Sequence, residues 1–133
     1  MPIVDYNESV PSAFKGECNA HPVAASWRSV LAEIVRAFVQ GDYALSAPVT
    51  GVEPVPYELS EQIKAYVLDY GATLIELPNQ TWETSCAQWM GGYWNVLVDL
   101  WTREEGRSDL VLEVKVVECG DDYSFRVYLV YVP

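Results

Sequence analysis

His21, Cys86, Asp99 and Glu113 are the residues of this chain whose types and positions most invite a chemical reading. His21 directly precedes Pro22 at the predicted start of a helix, where the helix dipole favours a neutral imidazole and so a candidate base or a cap. A base needs a nucleophile or an orienting acid within hydrogen-bond reach, and no motif supplies one, so capping or packing is the preferred role. Cys86 falls on a predicted strand facing Leu97, where a thiol packs as a small apolar group; Cys119 falls at a turn. Asp99 and Glu113 are predicted on the outward face of neighbouring strands, where two carboxylates could share a proton as an acid/base pair. The preferred reading is a cross-strand charge network that relieves Lys115 and Arg126, which the register sets opposite one another.

The wider constellation is aromatic. Trp82, Tyr93, Trp94, Leu97, Asp99, Trp101, Glu113 and Tyr128 are the candidate binding residues. On the outward sheet face, Leu97, Trp101, Val111, Val117, Tyr128 and Val130 are expected to alternate with few charges. Such a band is more apolar than soluble monomers usually expose, so it must meet the N-terminal arm, the proline-rich wrap, a second copy or another protein, and a protein partner or a second copy is the expected recognition reading. In the alternative, Trp82, Tyr93, Trp94 and Trp101 line a small-molecule or enzymatic pocket between helices and sheet.

No cofactor or metal site is predicted. One histidine and the lack of any CxxC spacing remove the usual zinc ligand sets, and no carboxylate spacing motif suggests Mg²⁺ or Ca²⁺. Gly91-Gly92 has no accompanying lysine or helix and reads as hairpin chemistry rather than a phosphate cradle. No GxGxxG or GxSxG is present, so no catalytic set is assigned.

The elements that must position these residues follow from periodicity. Residues 1–20 show no sustained period and read as an arm, with Ile3, Val4 and Tyr6 able to add a short edge strand. From Pro22 to Gly41, Trp27, Leu31, Ile34, Val35 and Phe38 recur at helical spacing. Residues 42–56 carry Pro48, Pro54 and Pro56 and read as an ordered wrap. A second helix fits Tyr57 to Tyr70, with Leu59, Ile63 and Val67 on one face and Gly71 after its end.

Beyond Gly71 the period becomes two. Strands are predicted at Thr73–Leu77 and Trp82–Met90, then a hairpin through Gly91-Gly92 that sets Trp89 opposite Trp94. A turn near Gly120-Asp121 would pair Val116 with Phe125, Val114 with Val127, Leu112 with Leu129 and Leu110 with Tyr131. The predicted fold is α+β: two N-terminal helices on one face of a four- to five-stranded antiparallel meander, a two-layer sandwich over residues 21–133.

Composition sets the boundaries of function. Of 133 residues, 50% are hydrophobic and 20% charged, which fits one compact domain. Eight basic against nineteen acidic residues give a formal charge of −11, a field that repels nucleic-acid phosphates and anionic lipid surfaces. The longest uncharged stretch, Thr84 to Val98, is too short and too polar to span a membrane. The opening residues show no basic-then-apolar leader pattern, and three scattered cysteines suit a reducing compartment, so a cytoplasmic location is expected.

Several runs together resemble a family. They are Ala37-Phe38-Val39-Gln40-Gly41-Asp42-Tyr43, Trp82-Glu83-Thr84, Gln88-Trp89-Met90-Gly91-Gly92-Tyr93-Trp94, Val98-Asp99-Leu100-Trp101 and Gly106-Arg107-Ser108-Asp109-Leu110. The chain after His21 is similar to an uncharacterised family of small acidic bacterial proteins. That resemblance implies a bacterial cytoplasmic origin and carries no activity or catalytic residue.

Overall fold

The computed structural model describes residues 12–16 and 20–133. The expected edge strand at Ile3, Val4 and Tyr6, and Cys18, lie outside the described residues. The structure is α+β. Strand β1 (His21–Pro22) and a 3-10 turn (Ala25–Trp27) precede helix α1 (Arg28–Val39) and helix α2 (Tyr57–Tyr70). Strands β2 (Leu74–Ile75), β3 (Cys86–Trp89), β4 (Trp94–Thr102), β5 (Gly106–Cys119) and β6 (Asp122–Tyr131) follow. The sheet is antiparallel and six-stranded rather than four- to five-stranded, in the order β1-β3-β4-β5-β6, with β2 also pairing β4.

The first helix begins later than periodicity predicts. His21 and Pro22 pair with Ala87 and Cys86 at the sheet edge, where proline's missing N–H costs no ladder bond. The Arg28 guanidinium donates to the Val23 carbonyl at 3.0 and 3.2 Å, just ahead of the helix. At the far end, Gly41 takes a φ of 85°, and the Gly41 and Asp42 N–H groups close back onto Phe38 and Ala37. The Asp42 carboxylate then accepts the N–H groups of Ser46 and Ala47, which hold it below the ordinary carboxylate range and start the wrap. Helix α2 has the predicted bounds, with Gly71 left-handed after it.

The strand predicted over Trp82–Met90 begins only at Cys86, because Asn79–Glu83 form a 3-10 turn. That turn fills a gap on the edge of β4, between the stretches paired with β3 and β2. The buried Thr81 hydroxyl donates to the Asp99 carbonyl at 2.6 Å, and the Ser85 hydroxyl accepts the Asp99 N–H at 2.9 Å. Two hydroxyls thus stand in for a missing strand. Thr81→Val keeps the shape and leaves the Asp99 carbonyl unpaired; it is expected to cost about 1–3 kcal/mol in denaturant unfolding.

Alternation on β4 and β5 separates two faces. Trp94, Val96, Val98 and Leu100, with Leu110, Leu112, Val114 and Val116, are buried. They share one cluster with Trp27, Leu31, Ile34, Val35 and Phe38 of the first helical segment and with Ile63 and Val67 of α2. Asn95, Leu97, Asp99, Trp101, Glu113 and Lys115, on the other face, are half-buried.

The β5–β6 register holds at Val116–Phe125 and Val114–Val127, then slips. Leu112 pairs with Val130, not Leu129, and Val111, not Leu110, pairs with Tyr131. One extra residue on β6 at Tyr128 reverses the expected facing beyond it. Val130, predicted outward, is therefore 0% exposed, and Val111 is also buried.

Candidate functional site

The outward face of β4, β5 and β6 gathers five of the candidate residues: Leu97, Asp99, Trp101, Glu113 and Tyr128. Leu97 lies between Cys86 and Glu113, and Trp101 between Ile75 and Arg107. The Trp101 ring packs over Gly106, where an added Cβ would meet it at 3.7 Å. Tyr93, at the end of the Gly91-Gly92 turn, joins this face through Lys115. The Lys115 ammonium sits 5.1 Å from the Tyr93 ring centre and 4.7 Å from that of Tyr128.

This arrangement corrects the expected charge network. Lys115 and Arg126 are cross-strand neighbours as predicted. Neither forms an ion pair with Asp99 or Glu113; the ion pairs among the described residues are Lys15–Glu118 and Arg36–Glu76. Aromatic quadrupoles flank the Lys115 ammonium instead. The two carboxylates are also separate from one another. Asp99 accepts from the Thr84 hydroxyl, and Glu113 accepts from the Tyr131 hydroxyl at 2.7 Å. Asp99 pairs across to Val111 while Glu113 pairs to Leu97, so they sit diagonally.

The Glu113 contact pushes the Tyr131 phenol up to about 12, chiefly because the hydrogen bond holds the proton, with burial adding. A phenol raised above its ordinary value of about 10 contributes stability that is complete below that pH and is lost as pH rises from about 10 to about 12. Tyr131→Phe is expected to flatten this alkaline loss in denaturation midpoints measured over that window. An unchanged slope would remove the contact from the account.

Two candidates lie away from the face. Trp82 belongs to the 3-10 turn and is half-buried, with the Arg28 guanidinium 5.5 Å over its ring. Trp94 is 1% exposed, edge-on to Trp27 at 5.1 Å and tilted on Trp89 at 4.6 Å. The hollow beside Trp27, Trp94 and Ala87 is too narrow to admit a water-sized molecule. Over these rings lies the segment 12–16: Trp94 Nε1 donates to the Phe14 carbonyl at 3.1 Å, and Lys15 reaches Glu118 at 2.6 Å.

His21 is not at a helix N-terminus. It pairs with Ala87 in β1, its ring edge-on to Phe14 at 4.4 Å, and its buried Nε2 has no hydrogen-bond partner among the described residues. Cys86 is one residue out of step with Ala87, so strand alternation turns thiol and imidazole to opposite faces. Burial, with the Asp99 charge adding, pushes the Cys86 thiol up, which disfavours a thiolate nucleophile.

Sequence reasoning placed Lys115 and Arg126 correctly but left Asn95 and Tyr131 out of the site. Asn95 Oδ1 and Trp101 Nε1 are buried with no hydrogen-bond partner among the described residues. Strand alternation alone could have brought Asn95 in; Tyr131 reaches Glu113 only through the register slip.

Among the described residues no helix is long and apolar enough to cross a membrane, and no group of three or more metal-ligating side chains converges. A family model described as a domain of unknown function, DUF7668, matches residues 35–133 and so contains every candidate residue of the face. No curated protein and no solved structure matches the chain.

Proposed function

The chain belongs to the DUF7668 family, an uncharacterised one, and from that premise we propose that it is a non-catalytic protein-recognition domain. Its docking surface is the outward sheet face built from Tyr93, Leu97, Asp99, Trp101, Glu113 and Tyr128 around Lys115. In this reading α1 and α2 blanket the inner face as the second layer of a sandwich.

One observation carries the proposal. One set of alternating strand residues disappears into the core; of the other set Val111 is buried too, but Leu97, Asp99, Trp101 and Glu113 are only half-buried and Val117 at 40% and Tyr128 at 50% are exposed. A tyrosine-rich surface of this kind supplies contact area at low entropic cost.

The face itself is not ringed by acids alone, since Lys115 and Arg126 lie on it. The charge of −11 acts at longer range and steers the domain toward a basic partner, as in an immunity- or inhibitor-type protein. A second copy is the other occupant, and it must overcome the repulsion of two such charges. The proposal includes a bacterial cytoplasmic home. Its test is the loss of partner binding in Tyr128→Ala against an exposed control on α2, Tyr57→Ala.

The small-molecule or small-enzyme reading stays open as the alternative, although the hollow beside Trp94 is too narrow for a water-sized molecule. The structure offers room elsewhere, in a tyrosine-lined groove of about 460 Å³.

A further inference from the structure

That groove lies between the C-terminal half of α2 and the end of β6, lined by Tyr66, Asp69, Tyr70, Leu129 and Tyr131 among others. A second depression of about 310 Å³ shares Tyr66 and Asp69 and continues along α2 to Gln62 and Ala65. Two of the three tyrosines have already committed their hydroxyl protons. Tyr70 donates to Glu105 at 2.6 Å, and Tyr131 donates to Glu113 at 2.7 Å. Those hydroxyls can therefore offer a ligand lone pairs only, and Tyr70 already accepts the Asp109 N–H at 3.1 Å.

The charge around the groove is one-sided. Asp69 lines it, and Glu105 and Glu113 hold the hydroxyl ends of two of its tyrosines from outside the lining. No lysine or arginine lines either depression. Aromatic faces, lone pairs and carboxylates without a cation are the chemistry that holds a flat, weakly hydrated cation better than a compact ammonium.

The neighbouring backbone adds a second constraint. Among the described residues strand β6 ends the sheet order, and the wrap meets it around Phe125, through Phe125 N–H to the Gly51 carbonyl and Glu53 N–H to the Phe125 carbonyl. Pro54 and Pro56 follow and have no N–H with which to extend that ladder. An extended segment can therefore approach the distal half of β6 beside the groove.

We propose that this groove seats the guanidinium of an arginine carried on an extended segment of a partner protein. The groove's lining and the Tyr93–Tyr128 face share no residue, and the two surfaces touch through Glu113, which accepts the Tyr131 hydroxyl proton.

The test titrates the isotope-labelled full chain with a blocked β-forming peptide of about five residues centred on arginine. The comparison ligands are the same peptide with neutral citrulline, and blocked arginine alone. The arginine peptide is expected to shift the amides of Tyr66, Asp69 and Tyr131, and to bind about tenfold or more tighter than either comparison ligand. Asp69→Asn is expected to remove most of that preference, and Tyr57→Ala, 75% exposed at the far end of α2, to leave it unchanged. Equal affinity for the citrulline peptide, shifts confined to other surfaces, or no binding at all would overturn the guanidinium site. Equal affinity for blocked arginine would overturn the extended partner and leave a small-molecule site.

Discussion

Trp94→Ala is expected to lower unfolding stability by about 3–5 kcal/mol, the usual cost of emptying a buried indole site. In a chain of this size that corresponds to a fall in Tm of roughly 10 °C or more by calorimetry. The magnitude follows from position. The ring is 1% exposed, meets Trp27, Trp89 and Tyr123, and donates Nε1 to the Phe14 carbonyl. Trp94→Phe keeps much of the area and loses the hydrogen bond, so a smaller loss is expected. A drop below about 1 kcal/mol for the alanine variant would mean that the indole is not part of the core.

Tyr128→Ala is expected to do the reverse. Half-exposed and stacked over Lys115, the ring contributes little to the core, so Tm should move by no more than about 2 °C. Binding of the partner captured through this face should weaken about 30-fold or more, near 2 kcal/mol, as for a central aromatic anchor. If the face joins two copies, the same loss appears in the dimer dissociation constant from sedimentation equilibrium. Tyr57→Ala, 75% exposed on α2, should change neither quantity. A large Tm loss in Tyr128→Ala would make the face structural, and unchanged binding would make it idle.

Much of the architecture was legible because local chemistry and tertiary packing agree. The second helix has the bounds its apolar spacing and terminal glycine imply, and Gly91-Gly92 sets Trp89 against Trp94. The Val116–Phe125 and Val114–Val127 pairs follow from the predicted turn. Failures occur where a non-local bond outweighs pattern. Pro22 satisfies a helix-start rule but pairs with Cys86 at an edge. Trp82 continues an alternating run, yet Thr81 and Ser85 serve the Asp99 backbone better from a 3-10 turn.

The site was legible in part for the same reason. Alternation put Leu97, Asp99, Trp101 and Glu113 on one face. It could not reveal the extra residue at Tyr128, which buries Val130 and lets Tyr131 reach Glu113. Charge pairing suggested acids for Lys115, but the rings of Tyr93 and Tyr128 lie within reach of its ammonium. Unlike an ion pair, that contact carries no complementary charge by which a sequence reader would find it.

The most direct measurement of the recognition proposal places a photo-reactive phenylalanine analogue at position 128 or at position 57, in cells that make the protein natively. The account predicts a discrete protein adduct, or a covalent dimer, from position 128 and none from position 57. Adducts from position 57 alone, or from neither position while the protein remains folded, would contradict it.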